Sequence, residues 1–352
     1  MQTTILKTRD ALRPFEQTWQ TLPLANPFSR WPFAHAWLER PSVQPFVIVV
    51  KDDADRLVAM APFCLRTKRA GIRTLEGIRG YDSWYHDPWI QDAALSVPVQ
   101  ELLCKTLLES RGEWDALELI LSAEQSPILI ERLERCGLGF VQRPGERQNR
   151  MVDLGQGWDA YWSSRPAKFR GSMRQAQRKL DAFSHRYFQA DADSYRPVLE
   201  KALQISQSRW DPEHHRDEWY DGLRELAAWS APRGELLAFG LEIEGRLAAM
   251  RILFRSGDRA YGTIQVYDPE FSEYRVGSLM TVWAFERMAE SGIRLLDLGD
   301  GVMEWKERMK THLGETVLIQ LGGTLTGKVL MGWKHKVKPQ LAGLLGRPSL
   351  SK

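Results

Sequence analysis

The stretch from Arg259 to Lys306, RAYGTIQVYDPEFSEYRVGSLMTVWAFERMAESGIRLLDLGDGVMEWK, constrains the fold more than any other part of the chain. It divides into a strand from Ala260 to Tyr267, a Pro-bearing turn from Asp268 to Phe271, a loop closing on Gly277, a helix from Ser278 to Ser291 and a strand from Ile293 to Leu298. Two strands flanking a helix that is apolar on most faces require a sheet with that helix laid upon it. Ser278 is the expected N-cap and Gly292 the expected left-handed stop. At the Gly277-Ser278 step, small residues leave the first helical amides uncovered at the positive end of the dipole, an arrangement suited to a pyrophosphate.

The rest of the chain repeats this order. Arg56-Leu-Val-Ala-Met60 echoes Arg246-Leu-Ala-Ala-Met250, and in both halves there follow a strand, a loop, a helix stopped by Gly112 or Gly292, and another strand. The expected fold class is therefore mixed α/β (α+β): two tandem domains, 1–155 and 156–352, each a mixed central sheet flanked by helices. In the first half the loop before the helix is Leu95-Ser-Val-Pro-Val-Gln, where Pro98 removes an amide a phosphate would need. That copy is expected to shape the acceptor side.

A net charge of +3 over 352 residues gives no global argument for nucleic acid, and no DNA partner is expected. Three widely spaced cysteines, an N-terminus without an apolar signal core and the lack of a membrane-length apolar run point to a cytoplasmic chain with free thiols. Serine-hydrolase, Walker, dinucleotide-binding and zinc spacings are absent, which removes hydrolase, kinase and dehydrogenase readings. His214 and His215 are adjacent and would point apart on a helix, so no metal is expected.

The order Val266-Tyr-Asp-Pro-Glu-Phe-Ser-Glu-Tyr-Arg-Val-Gly-Ser-Leu-Met280, then Leu296-Asp-Leu-Gly-Asp-Gly301 and Trp305-Lys306, resembles the CelD/BcsL group of bacterial acetyltransferases. That group is related to the GNAT superfamily and to the FemAB peptidyl transferases. The likeness extends more weakly through Ser164-Arg-Pro-Ala-Lys-Phe-Arg170, Arg209-Trp210 and Tyr81-Asp82. The resemblance implies two GNAT-like domains, acetyl-CoA as acyl donor, and an amine acceptor linked to polysaccharide or cell-envelope synthesis, an amino sugar for example. Two readings from other classes stay open: an aminoacyl transferase using aminoacyl-tRNA, and a non-catalytic subunit of an envelope-polysaccharide complex.

On this reading Tyr267, Arg275, Val276, Gly277, Ser278 and Leu279 bind the cofactor. Asp297, Asp300 and Glu304 are the candidate catalytic carboxylates, since a base must stand beside the thioester. The plain alternative makes Asp300 an N-cap and Glu304 a first-turn charge. Tyr81, Asp82, His86, Lys168, Arg170, Trp210 and Lys306 are the candidate acceptor contacts, against an aromatic interdomain loop and a solvated basic helix face. The closing helix, about Thr326 to Leu345, is basic and amphipathic; it is a candidate for peripheral contact with the inner membrane surface, with packing on the second domain as the alternative.

Overall fold

A computed structural model describes residues 1–24, 26–78, 85–137, 139–142, 148–210 and 217–337. Among these the strands are β1 (Gln2–Leu6), β2 (Val43–Lys51), β3 (Leu57–Thr67), β4 (Arg73–Gly77), β5 (Trp89–Ile90), β6 (Ala116–Ser122), β7 (Gly139–Gln142), β8 (Gln148–Asp153), β9 (His185–Ala190), β10 (Leu236–Ile243), β11 (Arg246–Ser256), β12 (Arg259–Tyr267), β13 (Leu295–Asp297) and β14 (His312–Gly322). The α-helices are α1 (Arg9–Leu12), α2 (Glu16–Thr21), α3 (Trp31–Leu38), α4 (Ser96–Glu109), α5 (Pro127–Arg135), α6 (Trp158–Ser164), α7 (Ala167–Leu180), α8 (Tyr195–Trp210), α9 (Asp217–Ser230), α10 (Val276–Glu290), α11 (Glu304–Met309) and α12 (Leu325–Gly332).

The two halves carry the same strand logic, as the repeat predicts. β2, β3 and β4 pair antiparallel in sequence, and β6 joins β4 in parallel after the crossover through α4. β10, β11, β12 and β13 repeat this order with α10 as the crossover. Parallel pairing needs such a helical return, which is why the strand–helix–strand stretch dominates the sequence. The interior of β11 is buried on both sides, from Ala248 to Phe254. One of its faces packs with α7 and α10 through Phe169, Met173, Ala284 and Phe285, and the other with α8 and α9 through Leu199, Leu203, Leu223 and Leu226.

The halves do not sit side by side as separate sheets. The path runs β1-β2-β3-β4-β6-β14-β8-β13-β12-β11-β10-β9, so the last strand of the chain lies in the middle. β14 pairs with β6 through Thr316 to Gly322 and with β8 through His312 to Glu315. β8, just before position 155, pairs in turn with β13. Segments from both halves are thus interleaved at one joint.

Two local expectations need correction. Helix α10 begins at Val276, not Ser278, because the 3₁₀ turn Pro269–Tyr274 runs into it through Arg275, which takes a left-handed conformation (φ 54°) as N-cap. Asp300 is not an N-cap either: α11 begins four residues later, behind Met303. Helix α12 ends at Gly332 and passes into a π turn, Trp333–Val337; the residues beyond lie outside those described. α12 packs on β14 with Met331 buried, while Leu325, Val329 and Trp333 stay exposed along one stripe. The stop at Gly292 is as read, with φ 84° and the Ile293 amide donating back to the Met288 carbonyl at 3.0 Å. No helix among the described residues is long and apolar enough to cross a membrane.

Candidate active site

β12 and β13 run together only briefly. Their parallel register covers Arg259↔Leu295, Ala260↔Leu296 and Tyr261↔Asp297, after which β13 ends and β12 continues alone to Tyr267. From Gly262 onward, therefore, one edge of β12 has lost its strand partner, and its amides and carbonyls face a cavity of about 430 Å³. Gly262 to Val266, Leu298, Asp300, Trp305, Lys306 and the exposed Trp210 line it. At the far end of β12 stands the N-terminus of α10. A Cβ on Gly277 would lie 3.0 Å from the Tyr267 ring, a tight contact that glycine avoids where helix and strand approach. The Ser278 and Leu279 amides already donate to the Arg275 carbonyl, at 2.9 and 3.1 Å. The amides of Val276 and Gly277 are left without an intrahelical acceptor at this buried helix start. Arg209 adds a cation over the Tyr267 ring, 5.4 Å from its centroid.

The first half has the same parting of strands, but it is plugged. β4 pairs with β6 up to Glu76↔Glu118 and ends on Gly77, as the pairing of β12 ends before Gly262. Into the gap goes His86, whose ring would stand 2.1 Å from a Cβ at Gly77. His86 is buried; its amide donates to the Ile120 carbonyl at 2.7 Å and its Nδ1 accepts from the Ile120 amide at 3.0 Å. The next residue, Asp87, accepts from the Ser122 amide at 3.0 Å, and burial pushes its carboxyl up to about 7. His86 is thus a wedge, not an acceptor contact in either cavity described here.

A second cavity of about 430 Å³ lies at the joint, between Ser122 to Gln125 of the first half, Arg259, Tyr261 and Asp297 of the second, and His312 to Glu315 of β14. Its buried polar centre is Asp297. Oδ2 accepts from the Tyr85 hydroxyl at 2.6 Å and Oδ1 from the Gly299 amide at 2.8 Å, while Asn149 Nδ2 reaches both oxygens at 2.9 and 3.1 Å. The same Asn149 nitrogen lies 2.8 Å from the Tyr85 oxygen. Burial raises the Asp297 carboxyl above its ordinary range against these donors, and burial together with the Asp297 charge raises the Tyr85 hydroxyl well above its own. A Tyr–carboxylate pair of this kind can pass a proton from a bound group to the carboxylate.

Of the residues singled out from sequence, Asp297 lines the joint cavity, Asp300, Trp210 and Lys306 line the cavity along β12, and Tyr267 and Arg275 to Leu279 stand at the far end of β12. Asp300 accepts from the Gly301 amide at 2.6 Å through its side chain and from Lys306 Nζ at 2.6 Å through its carbonyl. Glu304 is elsewhere: it is exposed and paired with Arg308 one turn on, as a first-turn charge would be. Lys168 is exposed and Arg170 half-buried on α7, whose apolar side packs on the core; neither lines the cavities. Tyr81, Asp82 and the His214-His215 pair lie outside the described residues, and among those described no cluster of metal-ligating side chains occurs. Sequence reasoning missed Asn149 and Arg251 and offered Tyr85 only as part of a sugar-binding lip, against an aromatic loop packed between the domains. For Arg251 a signal was present, a cation inside the apolar run Ala248 to Phe254.

Residues 167–307 match the protein family described as an acetyltransferase (GNAT) domain. Over nearly the whole chain the fold is similar to that of FemX (12% identity, TM-score 0.61, covering 91% of this chain and 98% of that one). It is also similar to a conserved protein from Bacteroides thetaiotaomicron (10% identity, TM-score 0.58, 91% and 100% covered). A third likeness is to the C-terminal domain of a putative lysylphosphatidylglycerol synthetase from Agrobacterium fabrum (13% identity, TM-score 0.52, 80% and 86% covered). At these identities the likeness is one of fold. No curated protein matches the chain in sequence.

Proposed function

We infer that this chain, an acyltransferase built on the GNAT fold, takes its acyl group from a CoA thioester, acetyl-CoA in the simplest case, and transfers it to an amine held at the joint between the two halves. One observation carries the reading: β12 and β13 part at Gly262, and at the far end of β12 helix α10 opens with two amides that no intrahelical carbonyl accepts. The amide-bearing arm of CoA can pair with the open edge of β12 as an added strand, while the Val276 and Gly277 amides and the helix dipole take the pyrophosphate. The thioester carbon then lies near Gly262 and Leu298, next to the joint cavity. The amine nitrogen attacks it, the C–N bond forms and the C–S bond breaks. The amine's proton passes through the Tyr85 oxygen to Asp297, and the departing thiolate takes up a proton. A backbone amide of β12 polarises the thioester oxygen.

The acceptor class follows from the CelD/BcsL resemblance: an amino sugar on the way to an envelope polysaccharide. A mass-spectrometric screen for acetyl transfer onto amino-sugar nucleotides and lipid-linked amino sugars tests it; transfer only onto unrelated amines removes this class. The fold likeness to FemX favours one rival, a donor of the aminoacyl-tRNA type. Binding of tRNA that weakens steeply with salt, without binding of CoA thioesters, would favour that rival. Absence of any donor binding would favour the non-catalytic subunit.

We also propose that the exposed stripe Leu325, Val329 and Trp333, beside Lys328 and Lys334, touches an anionic membrane surface. The chain is expected to float with anionic liposomes and a Leu325→Ser/Val329→Ser/Trp333→Ser variant to float less; equal flotation removes the idea.

A further inference from the structure

Among the described residues Arg251 is the one guanidinium lining the cavity along β12, and its surroundings are unusual for a cation. It stands on β11 with 2% of its surface exposed, and the centroids of the Phe285 and Trp305 rings each lie 5.1 Å from its guanidinium carbon. Nη1 donates to Gln265 Oε1 at 2.5 Å and, more weakly, to Thr281 Oγ1 at 3.4 Å. These partners are neutral. Among the described residues no carboxylate lies within ion-pairing distance of Arg251, and its buried Nε has no hydrogen-bond partner. Its Nη2 reaches over Gly262, where a Cβ would stand 3.4 Å away, so the missing side chain opens the path from the guanidinium to the fork of the two strands. Lys306, nine-tenths buried, lines the same cavity.

A buried charge is costly unless paired, and burial pulls this guanidinium down to about 9, which still leaves it cationic at neutral pH. Aromatic faces and two neutral acceptors offset part of that cost, but an anion is the natural partner. The CoA pyrophosphate is not that anion on the reading above. It sits by Tyr267 at the outer end of β12, whereas Arg251, which stands opposite Gln265, turns its Nη2 the other way, towards Gly262 and the fork.

We propose that the Arg251 guanidinium, with Lys306 beside it, binds a carboxylate carried by one of the two reacting substrates, either at the far end of the acyl group or on the acceptor next to its amine. The inference rests on the CoA-thioester reading. With a carboxylate-bearing acyl donor the bonds exchanged are unchanged: C–N forms, C–S breaks, CoA leaves as the thiol once protonated, and the remote carboxylate stays on Arg251. The same two cations disfavour a donor carrying a free ammonium beside its acyl carbon, which counts against an aminoacyl donor.

Calorimetry with the full chain separates the two sources. One arm compares succinyl-CoA with acetyl-CoA; the other, with CoA saturating, compares β-alanine with its amide. In one of the two pairs the carboxylate member is expected to bind about 10- to 100-fold more tightly, the range for a hydrogen-bonded charge. Arg251→Gln should abolish the preference and Arg251→Lys should keep part of it. Equal binding within both pairs by the wild-type chain overturns the proposal without needing either variant, and so does a preference that survives Arg251→Gln. If CoA and its thioesters fail to bind at all, the donor reading itself falls, and this inference with it.

Discussion

Replacing Asp297 by Asn is expected to lower kcat/KM about 10²- to 10⁴-fold, the usual worth of a positioned base. Asp297 is the one sequence-predicted carboxylate that is buried in the joint cavity and coupled to a hydroxyl that an amine can reach, through Tyr85 at 2.6 Å. Its pH signature follows from the direction of its shift. Burial raises its affinity for a proton, so transfer should fail on the acid side at a pH above the ordinary carboxylate range, and Asp297→Asn should remove that limb. Folding responds with the opposite sign: the protonated form is favoured in the folded chain, so this group's contribution to stability is present at low pH and is lost as pH rises through its folded pKa. Tyr85→Phe should share the kinetic loss in smaller measure. Glu304→Gln, at an exposed ion pair, should keep its turnover, and Asp300→Asn should lose little. If Asp297→Asn retains near wild-type kcat/KM and the same acid limb, with the melting temperature as control for folding, Asp297 is a joint-forming residue and not the base.

Much of this architecture was legible because it is local. The helix α10 shows itself through its apolar run and Gly292, and both hairpins through their turns. The repeat shows through Arg56 to Met60 and Arg246 to Met250, and both methionines are fully buried at equivalent strand positions. What stayed illegible is nonlocal. Nothing in the Thr316 to Leu321 pattern says that this strand pairs with β6 rather than with its own half, because an apolar strand buried on both faces fits any sheet interior. The site residues divide the same way. Gly277 carries its meaning in its neighbours along the chain, but Tyr85, Asn149 and Asp297 meet across sequence separations that no motif spans. His86 misled because histidine is chemically versatile; the glycine at Gly77, which leaves room for its ring, was the signal that it is a wedge.

Replacing Gly277 by Asp is expected to weaken CoA binding by about 100-fold or more. The new Cβ would lie 3.0 Å from the Tyr267 ring, and the carboxylate would stand among the amides offered to the pyrophosphate. A like charge placed there costs several kcal/mol, and each ~1.4 kcal/mol is a factor of ten. Gly277→Ala separates the two effects. It brings the same Cβ without the charge and has the better helix propensity, worth about 1 kcal/mol, so it should lose less affinity than the Asp variant. Unchanged CoA affinity in a folded Gly277→Asp chain would place the pyrophosphate elsewhere.

The most direct test of the account is amide hydrogen exchange with and without a CoA thioester. The fork between β12 and β13 predicts added protection confined to Thr263 to Tyr267 and to Val276 and Gly277, with the start of α4 in the first half, Ser96 to Gln100, unchanged because His86 closes the equivalent gap. Protection that appears at α4 instead, or no protection along β12 at saturating thioester, would contradict it.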